Sequence, residues 1–247
     1  MHGRHLPALG PRFWIALCLA SIFGANMGDF FAHDVGLGHI KGVPFLAVAF
    51  ALVLIVERWD RAAHEAWYWI AIVIVRTAAT NLADFMCGDM KLSRPLVMVG
   101  LAVVLAVVVT IAWRVWQRSD KQARNGRPLV LCADTAYWVS MLVAGTLGTV
   151  MGDYFSHNLR LGDGIGGLVL SAVLAGFFLV GARGLIWTLP FYWATVVMVR
   201  AAGTCVGDLF AQRSVLGLAL STAVTGVVFV AMLLIWRGRR AETAPAD

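Results

Sequence analysis

Apolar residues gather along the chain in eight long runs, at 13–31, 43–56, 66–86, 95–113, 136–155, 165–182, 189–210 and 215–236, with charged residues collected between them. Most runs approach the roughly 20 residues that a helix needs to cross the hydrocarbon core of a bilayer. None shows the strict alternation of a barrel strand, and a helix is the other way to carry a chain through lipid with its backbone groups satisfied internally. The pattern predicts an all-α polytopic membrane protein of eight transmembrane helices in a single membrane domain over 1–247. The second run is short, so a span over 43–56 requires its Gly/His/Lys flank to dip inward or the bilayer to thin.

The runs repeat in pairs. Asp29, Asp84, Asp153 and Asp208 each lie fifteen residues after a tryptophan, namely Trp14, Trp69, Trp138 and Trp193. An aromatic residue precedes each tryptophan: Phe13, Tyr68, Tyr137 and Tyr192. A small residue precedes each aspartate, with another four positions earlier, giving Gly24/Gly28, Ala79/Ala83, Gly148/Gly152 and Gly203/Gly207. Self-similarity at a fixed period marks a repeat architecture, here with two-helix units at 13–59, 67–116, 136–183 and 190–236. The aspartates are spaced by 55, 69 and 55 residues, so a pair of repeats recurs at an offset of 124. Arg76 and Arg200 lie eight residues before the aspartate of an even repeat, and His33 and His157 four after that of an odd one. The chain reads as a duplication of a duplication, a pseudo-twofold bundle.

An even number of spans per repeat inserts successive repeats in one orientation, related by an axis along the membrane normal. The four aspartates then share one depth. A segment of fifteen residues rises roughly 22 Å in a helix, which sets each tryptophan at one interface as part of an aromatic belt and each aspartate toward the other end. The first run carries the landmarks of three later ones and no clear small-residue cleavage site follows it, so it reads as a span rather than a signal peptide.

The net charge of +6 raises the question of nucleic acid, but its distribution points to the membrane. Thirteen Lys and Arg fall in the N-terminal segment, the 57–65 and 114–127 loops, at Arg183 and in the tail, against five (Lys41, Lys91, Arg94, Arg160, Arg213) in the opposite loops. The positive-inside rule puts both termini in the cytoplasm. With 60% hydrophobic and 14% charged residues and a mean hydropathy of +0.78, the chain lies outside the soluble range. Cys18, Cys87, Cys132 and Cys205 show no CxxC spacing and read as free thiols.

The aromatic-Trp and small-xxx-small-Asp pattern, four times over, resembles a family of bacterial membrane proteins built of four tandem repeats, each with two transmembrane regions and a characteristic tryptophan. The resemblance covers essentially the whole chain. It implies a multi-pass protein of the bacterial inner membrane; the family is itself a repeat of unknown function, and it supplies no activity and no cofactor.

Chemistry has to come from the polar residues within the spans. A carboxylate in hydrocarbon costs about 2.5 to 3.5 kcal/mol on insertion scales, so four at equivalent positions need a common explanation. One is polar glue, each aspartate accepting bonds from a neighbouring helix end or an arginine. The other is an ion or proton pathway through Asp29, Asp84, Asp153 and Asp208, with Arg76 and Arg200 as internal counter-cations. Four carboxylates against two arginines leave a deficit that a bound cation or protonation would fill. The two arginines sit about 12 Å along the axis from their own aspartates, so they reach toward other repeats. The small-residue pairs are helix-packing faces.

His33, His157, Asp34 and Asp89 are candidate metal ligands by type, since imidazole and carboxylate suit Zn, Mn, Fe or Ni; exposed loop histidines are the plain alternative. His39 and His64 read as loop residues and His2 and His5 as tail. The glycines over 36–42 and 162–167 lack the Lys-Ser/Thr of a phosphate loop and read as flexible turns. No HExxH or GxSxG arrangement marks an enzyme. The expected function is a small transporter or channel for a cation, a divalent metal or a proton-coupled solute among them. The alternative is a non-transporting scaffold, sensor or partner subunit. The expected partners are the lipid bilayer and a bound cation, with a homo-oligomer left open and nucleic acid excluded.

Overall fold

In a computed structural model of the protein, residues 7, 9–59, 65–119, 133–182 and 188–243 are described. His2, His5, His64 and Cys132 lie outside the described residues, as do Arg4, Arg61, Lys121, Arg124, Arg127 and Arg183 of the basic residues behind the orientation argument. Eight helices follow in order: α1 (Pro11–Asp29), α2 (Gly38–Trp59), α3 (Glu65–Asp84), α4 (Arg94–Ser119), α5 (Thr135–Asp153), α6 (Gly162–Gly181), α7 (Leu189–Ala211) and α8 (Leu218–Thr243). There is no strand among the described residues. Seven of these helices are long and apolar enough to cross a membrane, so this is a multi-pass membrane protein. The helix that falls short, α5, carries Ser140, Gly145, Thr146, Gly148 and Thr149, all buried against other helices rather than lipid.

The odd helices form the inside. α1 packs on α3, α3 on α5, α5 on α7 and α7 back on α1, while the diagonal pairs make at most marginal contact, so four helices close a ring. The even helices form a shell, and each covers the inner helix of the following repeat: α2 on α3, α4 on α5, α6 on α7 and α8 on α1. A repeat is therefore an open hairpin that completes itself on its neighbour. Outer faces are apolar, with Val48, Leu52, Val99, Val103, Leu168 and Val227 exposed as a lipid-contacting surface.

Small residues let the ring close. A Cβ on Gly24 would stand 2.5 Å from Arg76 Cβ, one on Gly148 2.5 Å from Arg200 Cβ, one on Gly203 2.6 Å from Ser21 Cβ, and one on Gly145 2.9 Å from Ala79 Cβ. In each interface the residue five before one aspartate meets the residue eight before the next. Likewise the residue before the aspartate meets the one four before the next: Gly28 on Thr80, Gly152 on Thr204, Gly207 on Ala25. An offset that recurs four times and returns to its start cannot be a cumulative slide. It marks helices tilted alike, which puts the four aspartates at one level.

Ala83 holds the place of Gly28, Gly152 and Gly207 in repeat 2 and is fully buried. Its methyl packs with Val150 of the next inner helix and Val97 of α4 in a small apolar cluster, with Met86, Cys87 and Leu92 around it. Ala83 is therefore a contact under α4 as well as a point of approach between inner helices. Its methyl contributes through burial, about 0.8 kcal/mol for a group of that size.

The second helix runs from Gly38, so the Gly/His/Lys flank joins it, one of the two ways expected for the short run to span; His39 in its first turn meets Asp89 at 3.1 Å. Two expectations change here. The glycines at 42, 166 and 167 are not in flexible turns but in outer helices, where a Cβ on Gly42 would stand 2.8 Å from Asn81 Oδ1 and Gly166 and Gly167 face Ser156 and Cys205. Trp14, Trp69, Trp138 and Trp193 form no lipid-facing belt: each is buried. Phe13 packs on Trp69 at 5.8 Å, Tyr68 on Trp138, Tyr137 on Trp193 and Tyr192 on Trp14, each of the last three at 5.7 Å between ring centroids. Aromatic pairs of this kind add about 0.5–1.5 kcal/mol each beyond their buried area, enough to draw the rings into a collar inside the ring of helices.

Gly148→Ala will destabilise the folded protein by about 1–3 kcal/mol through overpacking, whereas Gly176→Ala, with open space around it, will be neutral or slightly stabilising. Thermal unfolding followed by size-exclusion chromatography reads the difference; equal midpoints would refute the close-approach account.

Candidate functional site

Past each of the first three aspartates the helix widens into one π turn, Phe30–Asp34, Phe85–Asp89 and Tyr154–Asn158. The turn closes seven residues after the aspartate on a left-handed residue, Gly36 (φ 75°), Lys91 (φ 54°) or Arg160 (φ 54°). The non-glycine residues there are strained by roughly 1–2 kcal/mol. This geometry redirects the chain so that the outer helix leaves sideways, onto the next repeat. The fourth repeat has no π turn, and α7 ends at Ala211.

Asp29, Asp84, Asp153 and Asp208 all sit at these helix ends, half-buried at the open end of the ring. They lie within electrostatic reach of one another: Asp208 of the other three, Asp29 of Asp153, and Asp84 of Asp29. Among the described residues none of the four carboxylates accepts a hydrogen bond or makes an ion pair. Buried polar groups are ordinarily paired, so these oxygens face an accessible space rather than a neighbouring helix.

Directly behind them Arg200 is fully buried and its guanidinium is spread over the other three repeats. Nε donates to Thr149 Oγ1 at 2.8 Å, one terminal nitrogen donates to the Ser21 carbonyl at 2.8 Å, and the other donates to Thr80 Oγ1. It is within electrostatic reach of all four aspartates. One guanidinium is thus the shared positive charge behind four acids. Arg76, at the matching position of repeat 2, is equally buried but turned the other way, among Tyr68, Tyr137, Tyr192 and Cys18.

The histidines take a different part from the one expected. His33 Nδ1 donates to the main-chain carbonyl of Asp29 at 3.0 Å and His157 to that of Asp153 at 3.3 Å, so both clip the π turn instead of meeting the carboxylates. Among the described residues no three His, Cys, Asp or Glu side chains converge as a metal cage. The rim polar residues instead staple neighbouring repeats. His39 meets Asp89, Arg94 donates to Asn158 at 3.0 Å, and Gln212 donates to Asp163 at 2.8 Å. In each, the residue ten after one aspartate bonds one four or five after the next. At the fourth junction the first position is Leu218, which can make no such bond, and Asp34 stands opposite it in the pattern.

Sequence reading missed this rim pattern, which the spacing contains, and the set that holds Arg200, the hydroxyls of Thr80 and Thr149 with the main-chain carbonyl of Ser21. The family model described as Repeat of Unknown Function (DUF347) matches residues 12–62, 67–118, 136–183 and 191–241, one copy per two-helix unit. No curated protein and no solved structure matches the chain.

Arg200→Lys will lower stability by about 1–3 kcal/mol, because a point-like ammonium cannot reach three repeats at once. A thermal midpoint equal to that of the parent protein would show the triple contact to be idle.

Proposed function

Because the chain belongs to this DUF347 repeat family, whose function is unknown, membership brings no activity, and we propose from the geometry that the protein is a small transporter whose aspartate layer binds a cation or protons. In this reading all eight helices cross the inner membrane, pseudo-fourfold in the ring and pseudo-twofold in its arginines, with both termini cytoplasmic. The aspartate end then faces outward.

The observation that carries the proposal is the charge balance at that end. Four half-buried carboxylates face each other without donors, and the guanidinium behind them supplies one positive charge. Carboxylates held this close in a low-dielectric setting cannot all stay ionised unless something positive joins them. A cation entering from the open end, or protons, meets that need. Arg200 then acts as a resident competitor, neutralising the layer when the cation leaves.

The other end favours a transporter over an open channel. Arg200, Arg76 and the collar of Phe13, Tyr68, Tyr137 and Tyr192 occupy the middle of the ring, every one of them buried. A guanidinium in a narrow passage repels cations. Release to the cytoplasm therefore requires the ring to open, by rocking of one pair of repeats against the other. The junction between repeats 4 and 1, which lacks the rim staple, is where it would part. The scaffold reading, in which the aspartates only hold helices together, needs donors on the carboxylates and loses support from their absence among the described residues.

Asp29→Asn, Asp84→Asn, Asp153→Asn and Asp208→Asn, each purified and reconstituted in proteoliposomes, test the reading. Proton entry followed by an internal pH dye and Mn²⁺ entry followed by quenching should both be measured, and at least one flux should fall about tenfold or more in two or more variants, the size of a lost charge-assisted contact. Correctly folded variants that all carry parental rates would sink the proposal.

A further inference from the structure

The two arginines occupy equivalent places in the sequence and opposite situations in the fold. Arg200 satisfies all three guanidinium nitrogens on the other repeats. Arg76 is fully buried, yet its Nε and both terminal nitrogens have no hydrogen-bond partner. A guanidinium carries five N–H donors and stays charged. Burying such a group without a compensating partner costs several kcal/mol at least, and a lone buried charge far more.

What surrounds it is suited to a negative guest. Tyr68 and Tyr137 hydroxyls are 2.6 Å apart and those of Tyr137 and Tyr192 are 3.3 Å apart, so three O–H groups share two contacts. At least one O–H is left over to donate elsewhere. These hydroxyls, with the Cys18 thiol, are the groups whose field Arg76 feels most, and none of them is an acid at neutral pH in an ordinary setting. Arg200 lies within electrostatic reach on the other side, adding a second positive charge. Gly145 leaves its Cα bare toward the guanidinium, with one terminal nitrogen 3.7 Å from where a Cβ would stand. The aspartates are screened from Arg76 by Arg200 and lie at the open end, where ions from solution can neutralise them.

We propose that the Arg76 guanidinium and the hydroxyls of Tyr68, Tyr137 and Tyr192 form a binding site for one small monovalent anion of the halide class. N–H donors without partners close to a cluster of O–H groups match a spherical acceptor that needs no fixed lone-pair direction. Arg76 and all three tyrosines are buried, so the ion exchanges slowly and is held as part of the folded core. This site is separate from the aspartate layer and does not depend on transport.

The test is chloride binding by the full-length protein in detergent. Radiolabelled chloride should be retained at about one ion per chain after desalting, and the thermal midpoint should be higher in sodium chloride than in sodium gluconate. Arg76→Met should lose both effects. If that variant fails to fold, Tyr137→Phe should weaken chloride binding about tenfold or more, while Gly176→Ala leaves it unchanged. Folded parent protein that retains no chloride, whether because water fills the place or because a tyrosinate absorption band shows the charge to reside on a tyrosine, would overturn the proposal. So would parental chloride binding in folded Arg76→Met.

Discussion

Backbone-to-backbone approach of the four inner helices is the constraint from which the rest follows. In lipid there is little hydrophobic force between helices, so association rests on close packing and on interhelical hydrogen bonds. Small residues at one and five positions before each aspartate provide that packing, four times in one register. Once the ring closes at that distance, whatever protrudes from the position eight before an aspartate is pressed toward its centre. Ser21 and Gly145 are small there, and Arg76 and Arg200 are not. The fold has room for two large side chains because the duplication alternates them with two small ones.

That alternation also decides where charge goes. Two guanidinium groups facing each other across a dry ring cannot share a level, and they part along the axis, Arg200 toward the aspartates and Arg76 toward the tyrosines. Near-identical helices thereby acquire a direction: acids and one arginine at one end, aromatic rings and the other arginine at the opposite end. A transporter needs such asymmetry, since a column with the same chemistry at both ends has no reason to bind at one and release at the other.

Much of this was readable from the residues alone. The repeat, the eight helices, the level aspartates and the small-residue faces all follow from spacings that survive in every copy, and spacing along a helix maps directly onto height and face. The misread features are those where hydropathy describes burial without saying against what. The tryptophans looked interfacial because Trp at a span end usually is, yet here they pack on aromatic residues from the neighbouring repeat. Gly42, Gly166 and Gly167 looked like loop residues because glycine and polar neighbours share composition with turns. The π turns could not be foreseen, since no residue type specifies an extra turn residue; only its closing left-handed position shows in the sequence, and Lys91 and Arg160 disguise it.

The crossover of each outer helix onto the next repeat gives the molecule a natural weak point. Covering runs from repeat 1 to 2, 2 to 3 and 3 to 4 through short rim connections reinforced by polar staples, and the last outer helix has to return to α1 across the ends of the chain order. There the rim residue is Leu218 rather than a donor or acceptor, the π turn is missing, and an apolar groove of about 690 Å³ lies between α1 and α8, lined by Phe23, Met27 and Gly226 among others. Opening at this seam would separate α1 from α7, and that contact is bridged by Arg200 through the Ser21 carbonyl. The guanidinium behind the aspartates therefore also bridges the seam. In the proposed transporter reading, a cation that displaced it from the layer would act on that bridge without needing a second connection through the protein.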